Sequence, residues 1–238
     1  MAGISVSYAS GRDGAGKSTI CANLGVALSQ MGLKTVIVDA DVEGASMNLI
    51  FGLDFDVPTI HDYLSGKASA DEVTFNLKSA GIDLVAGSIK VESLKDIKFD
   101  LLKEFIAGLK EKYDIVFIDI PAGLSVDTMT SLSASDVVVL VVTPDILSVS
   151  SALKTKVITK GMDLKILGAI VNRAGGEYDI PAPYIEDMLG VEVLGSISEG
   201  EEVKRSLSTG KILLLDSPDS PATKSLKQIA AKLVGGSK

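Results

Sequence analysis

Gly11-Arg12-Asp13-Gly14-Ala15-Gly16-Lys17-Ser18-Thr19 fits the pattern G-x-x-x-x-G-K-[ST], and its neighbours decide how it must fold. Before it, Gly3-Ile4-Ser5-Val6-Ser7-Tyr8 reads as a short buried strand. After it, Ile20, Leu24, Ala27, Leu28 and Met31 recur at i, i+4, i+7, i+8 and i+11, which predicts the apolar face of a helix. A strand, a glycine-rich turn and a helix N-terminus bring backbone N–H groups to one point, and the helix dipole favours an anion there. Gly11, Asp13, Gly14, Ala15, Gly16, Lys17, Ser18 and Thr19 are therefore candidate nucleotide-binding residues. Lys17 would reach the β and γ phosphates, and the Ser18 hydroxyl would ligate Mg²⁺.

Working outward, strand-like and helix-like stretches alternate along the chain. Thr35–Val38, Ile82–Val85, Asp114–Asp119, Val137–Val142, Ile166–Val171, Val191–Ile197 and Ile212–Leu215 read as strands. Leu101, Leu102, Phe105, Ile106 and Leu109 form the apolar face of a helix, with Asp100 as its expected cap. Strands that are apolar throughout and alternate with helices predict an α/β fold: a doubly wound, mostly parallel sheet with helices on both faces. We expect one domain over residues 1–238. Asp54–Pro58 and Gly175–Pro183 read as loops, and Gly235-Gly236-Ser237-Lys238 as a fraying tail.

The chain has 238 residues, 46% of them hydrophobic and 23% charged, enough apolar material for a large core. Its net charge of −8 argues against non-specific coating of nucleic acid, which draws its affinity from Lys and Arg on phosphates. No stretch of about 18 apolar residues suggests a membrane span. Met1-Ala2-Gly3-Ile4 does not begin a signal peptide, so a cytoplasmic location is expected. Cys21, alone of its kind, reads as a small buried helix residue, and His61, also alone, as structural.

Two further motifs carry chemistry. Asp119-Ile120-Pro121-Ala122-Gly123 places an acid at the carboxyl end of a strand, the Walker-B arrangement, in which the carboxylate holds Mg²⁺ directly or through water. The Pro and Gly that follow mark a turn suited to a switch. Asp39-Ala40-Asp41 ends the strand after the first helix, so Asp39 is a candidate for the metal and Asp41 for an attacking water. An acid pair that merely begins a solvent loop is the competing reading.

In this order, with Asn172-Arg173 downstream, these motifs resemble the MinD/ParA family of deviant Walker-A ATPases, and the likeness covers nearly the whole chain. Thr59–Gly66, Leu124–Asp127 and Thr143-Pro144-Asp145 are similar to MinD segments as well. The resemblance implies ATP/ADP and Mg²⁺ as cofactors, a face-to-face homodimer on ATP, slow hydrolysis and a protein partner. It places Lys17 and Thr19 on phosphates, Ser18 and Asp119 at the metal, Asp41 at the water, and Asn172 with Arg173 at the adenine. Members of the family usually carry Lys-Gly-Gly where this chain has Arg12-Asp13-Gly14, and that lysine crosses to the partner's nucleotide. Arg12 keeps the charge, with a different geometry. Asp13 brings a carboxylate to the triphosphate path unless it turns outward or pairs with a cation such as Arg12. Ser46 and Thr143 stand where the family has Asn.

GTPases of the superfamily read guanine with Asn/Thr-Lys-x-Asp. Here Gly175 stands in the position of that Asp, which favours adenine. The segment Lys224–Val234 is amphipathic, and from Glu201 onward seven Lys/Arg against four Asp/Glu leave a net of +3. The family implies a weak peripheral membrane contact for such a helix; its small, non-aromatic apolar face predicts packing on the domain instead. Three readings stand: an ATPase switch that positions a cellular component, a nucleotide-binding adaptor without efficient hydrolysis, and a phosphotransferase on a small acceptor.

Overall fold

Every residue of Val137-Val138-Val139-Leu140-Val141-Val142 is buried, as a strand covered on both faces requires. In the computed structural model, which describes residues 2–53, 57–90, 93 and 96–235, the elements run in this order: β1 (Ile4–Ala9), α1 (Lys17–Gln30), β2 (Thr35–Asp39), α2 (Met47–Ile50), α3 (Ile60–Leu64), α4 (Ala70–Val73), β3 (Thr74–Leu77), β4 (Ile82–Val85), α5 (Leu101–Lys110), β5 (Ile115–Asp119), α6 (Val126–Ser133), β6 (Val137–Val142), α7 (Ile146–Gly161), β7 (Lys165–Ala174), α8 (Ala182–Leu189), β8 (Val193–Ser198), α9 (Glu201–Thr209), α10 (Leu213–Asp216) and α11 (Pro221–Gly235). The described strands form one sheet in the order β3-β4-β2-β5-β1-β6-β7-β8. Its pairs are parallel except β3 with β4, which is antiparallel.

Period-two alternation sends successive side chains to opposite faces. Ile37, Phe117, Val139 and Val141 enter a core shared with α1 and α11. Val36, Val38, Val116, Ile118, Val138 and Leu140 enter the other core, under α5 and α7. The expected α/β class and helices on both faces are thus observed.

Several expectations change. Ile212–Leu215 is not a strand; Leu213–Asp216 forms the short α10, because the Leu214 N–H donates to Asn23 Oδ1 of α1 (3.1 Å) and the apolar side chains sink between α1 and α11 rather than along a sheet edge. Strand β3 was absent from the expected set. Its Phe75 and Asn76 alternate weakly, and it is held as an antiparallel edge by β4. Asp100 occupies the N-cap position of α5 without a side-chain cap bond. The loop expected over Gly175–Pro183 ends earlier, α8 starting at Ala182. Residues 54–56 of the Asp54–Pro58 loop and 236–238 of the tail lie outside the described residues. Among the described residues no helix is long and apolar enough to cross a membrane.

Candidate functional site

Parallel register brings the motifs together. Tyr8 on β1 and Asp39 on β2 both pair with Asp119 on the intervening β5, so the loop after Ala9 and the two acids share one end of the sheet. The Ala40 N–H donates to the Asp119 carbonyl (2.8 Å), closing that end further. The loop 10–16 leaves β1 and delivers Lys17 to the first position of α1, where the side chain is buried.

Two glycines explain why the loop can sit there. A Cβ at Gly11 would overlap the Ser151 backbone of α7. Gly16, with φ of 93°, is left-handed, and a Cβ there would overlap the Asn172 amide. Asn172 Nδ2 donates to the Ala15 carbonyl (2.8 Å), so the end of β7 buttresses the loop. A cavity of about 160 Å³ opens on that side, lined by Gly16, Thr19, Asn172, Arg173, Ser198 and Glu199, among others. Arg173 itself lies at a φ of 58°, turning the chain at the cavity mouth. The carboxylate of Asp179 is engaged by the Gly175 and Gly176 N–H groups (both 2.8 Å).

Asp39 and Asp119 are fully buried. Asp39 Oδ2 accepts from the Ser46 N–H (2.9 Å) and the Met47 N–H (3.0 Å), while its Oδ1 has no partner. Both carboxylate oxygens of Asp119 lack partners. Burial lifts Asp39 to about 6, against the lowering effect of the Met47 and Ser46 N–H groups. Burial, then the charge of Asp39, lifts Asp119 to about 8, against the neighbouring Ser18 hydroxyl and Lys17 ammonium. Asp41 is half-buried, and its Oδ1 accepts from the Gly44 N–H (2.8 Å).

Buried oxygens without donors need a cation or a proton. Three carboxylates stand against one ammonium, and with the Ser18 hydroxyl they supply the hard oxygen ligands that suit Mg²⁺. They do not converge enough to hold a metal alone, since no group of three His, Cys, Asp or Glu is so placed among the described residues. Mg²⁺ characteristically completes its shell with waters and substrate phosphates, so the residues present fit it.

Arg12 is not paired with Asp13. Its Nη1 lies 3.3 Å from Asp145 Oδ1, both side chains half exposed. Asp145 caps α7 by accepting from the Ser148 N–H (2.9 Å), and Thr143 Oγ1 donates to its other oxygen (2.5 Å). A second cavity of about 310 Å³ lies between them, lined by Arg12, Asp13, Thr143, Asp145, Arg173 and Asp179 with three others. Sequence reasoning missed Asp145 as a site residue. The signal was a cap, an Asp three residues before Ser148 at a helix start. It also missed Ser10, whose Oγ donates to the Arg12 carbonyl (2.8 Å) and whose carbonyl accepts from the Gly123 N–H (3.0 Å), joining the loop after β1 to the turn after Asp119.

Comparison with known proteins agrees with this geometry. The ParA family, described as NUBPL iron-transfer P-loop NTPase, matches residues 4–234. An uncharacterised ATP-binding protein of Methanocaldococcus jannaschii is 37% identical over 233 residues, covering 98% of this chain and 88% of its own. Two solved structures superpose over nearly the whole chain. The septum site-determining protein MinD of Pyrococcus horikoshii, complexed with Mg-ADP, has a TM-score of 0.93 at 32% identity and covers 97% of this chain and 95% of its own. The cell division ATPase MinD of Pyrococcus furiosus has a TM-score of 0.95 at 31% identity, covering 99% and 100%.

Proposed function

The chain belongs to the ParA family of P-loop NTPases, and from that premise we propose that it is a MinD-like ATPase switch: it binds ATP with Mg²⁺, dimerises, hydrolyses slowly and acts on a cellular component through a protein partner. The observation that carries this reading is the pair of buried strand-end carboxylates, Asp39 and Asp119, with unpartnered oxygens beside Lys17. A divalent cation with a triphosphate satisfies them, whereas a site built only to bind an anion has no use for two extra negative charges.

In this reading the whole of residues 1–238 works as one domain. The loop N–H groups, Lys17 and Thr19 hold the phosphates. Ser18 and Asp119 hold Mg²⁺, with Asp39 behind them; the metal, when bound, would neutralise phosphate charge. Asn172 and Arg173 frame the base in the 160 Å³ cavity. Asp41 orients water, which requires that its carboxylate keep one oxygen free of the Gly44 N–H. Support for a second copy as partner comes from the exposed Leu124, Val126, Ile146 and Leu147, which follow the Asp119 turn or begin α7 beside Arg12. The iron-transfer wording of the family description does not extend to this chain in our reading, because its sole cysteine, Cys21, is buried in α1.

The second reading, an adaptor that binds nucleotide without turning it over, draws on two contacts: Arg12 is held by Asp145 and Asp41 by Gly44. Steady-state phosphate release with and without Mg²⁺ separates the two. The site itself is tested by calorimetric titration of Mg·ADP. Lys17→Ala should weaken binding by ten-fold or more, since it removes a charge-assisted contact of about 1.5–3 kcal/mol, while the surface change Lys112→Ala leaves it within two-fold. Equal affinity in wild type and Lys17→Ala would remove the assignment.

A further inference from the structure

The one histidine of the chain sits where three segments around the site meet. His61, on α3, is buried, and both ring nitrogens are engaged. The Ser88 N–H donates to Nδ1 (3.1 Å), and Nε2 lies 2.9 Å from the Val42 carbonyl. A backbone N–H can only donate and a carbonyl can only accept, so the ring must carry its proton on Nε2 and be neutral. Burial, which holds His61 below its usual value against the Val42 carbonyl and Asp62, agrees with that state.

Both partners border the chemistry. Val42 follows Asp41 directly, within the loop that Asp39 caps through Ser46 and Met47. Ser88 follows Gly87, which presses on that loop: a Cβ at Gly87 would meet Ala45 Cβ at 2.5 Å and Asp39 Cγ at 3.1 Å. The Gly87 carbonyl also accepts from Asn48 Nδ2 (3.0 Å), and α3 is pinned to the same stretch by the Ile60 N–H donating to the Ala86 carbonyl (2.8 Å). One imidazole thus ties the Asp41 loop to the segment after β4 from a helix that is itself anchored there.

We propose that His61 is a positioning residue for Asp41: its Nε2–H holds the Val42 carbonyl and so keeps the Asp41 carboxylate placed for the hydrolytic water. This rests on the ATPase reading above. A group placed a fraction of an ångström wrongly costs the transition state more than the ground state, so losing the tie lowers turnover and spares nucleotide affinity.

Two variants isolate the tie. His61→Asn keeps an acceptor at the Nδ1 position for Ser88 but is too short to reach Val42. His61→Gln places an amide N–H at the ε position and reaches it. The purified full chain is assayed for kcat and KM with ATP·Mg²⁺, for Mg·ADP affinity by calorimetry, and for amide exchange at Val42–Ala45. The expected result is a fall in kcat of about ten-fold or more in His61→Asn, Mg·ADP affinity within two-fold of wild type, kcat largely restored in His61→Gln, and faster exchange at Val42–Ala45 in His61→Asn alone. Equal kcat in all three proteins overturns the proposal, and so does a parallel loss of kcat and Mg·ADP affinity in both variants. If wild type binds Mg·ADP but does not hydrolyse ATP, the ATPase reading falls by itself. The exchange data then decide for His61: faster exchange in His61→Asn than in His61→Gln supports the tie, and equal exchange overturns it.

Discussion

Asp119 concentrates the energetics of the site in one side chain. It is fully buried, has no hydrogen-bond donor on either oxygen, and is pushed up to about 8 by burial and by Asp39. The sign follows from proton linkage. An acid whose folded value lies above its unfolded one binds more protons in the native state, so stability falls as pH rises from about 4 to 8, and the full cost is present above that. Asp39, lifted to about 6, adds to the same slope over the lower part of the window. Asp119→Asn removes the ionisation at nearly constant shape. Without ligand, the variant should melt close to wild type at about pH 4 and well above it at about pH 8, since about 1 kcal/mol shifts a domain of this size by about 2–4 °C. Mg·ADP should raise the melting temperature of wild type at pH 8 much more than that of the variant. Melting curves at the two pH values are the check; a difference that does not change with pH would show that Asp119 is ionised at no cost.

Among the elements, α11 shows how an amphipathic pattern can be satisfied within the fold. Ala222, Leu226, Ile229 and Ala230 are buried against α1 and β8, and Ile229 packs where Gly195 leaves room, a Cβ there coming within 2.6 Å of its Cγ1. The apolar stripe is spent on the core, which supports the packed reading of this helix over a membrane contact. Leu226→Ala should therefore destabilise the protein by about 2–5 kcal/mol in urea unfolding, and an unchanged midpoint would mean that α11 docks weakly. The same element explains what periodicity could not reveal. Helix α1 reads as one-sided from Ile20, Leu24, Ala27 and Leu28, yet Cys21, Ala22 and Val26 on its other sides are buried as well, because α11, α10 and α2 cover it, while Met31, counted on the apolar face, is half exposed past the helix end. Ile212–Leu215 was ambiguous for the same reason: a four-residue apolar run fits a strand or a buried turn of helix, and only the distant Asn23 decides. Long, uniformly apolar strands were legible because burial on both faces leaves one kind of sequence. The edge strand β3, half polar and four residues long, was not. In the site, Lys17, Asp39 and Asp119 belong to local patterns and could be named from the sequence, whereas Asp145 reaches Arg12 only because β6 lies next to β1 in the sheet.

At the scale of the whole molecule, the question is what Arg12 does when nucleotide arrives. In the free chain it is paired with Asp145, and because both side chains are about half exposed the pair is worth at most about 1 kcal/mol. That is small beside the attraction of a triphosphate, whose charge Arg can meet with two parallel N–H donors. The Asp145 contact is therefore a resting place and not a lock, so it should set the dimerisation constant only weakly. Two substitutions separate these magnitudes. Asp145→Asn removes the charge but keeps an oxygen that can cap α7 through Ser148, so the helix start is preserved. In an Asp41→Ala background with saturating ATP·Mg²⁺, light scattering should show a dimer whose dissociation constant Asp145→Asn changes by less than about five-fold, the limit that 1 kcal/mol sets. Arg12→Ala should abolish that dimer within the tested concentrations, because it removes the cation that would otherwise cross to the second copy's phosphates. A dimer indifferent to Arg12→Ala would place the guanidinium outside the interface. A dimer strengthened a hundred-fold by Asp145→Asn would mean that the pair with Asp145 holds the chain monomeric.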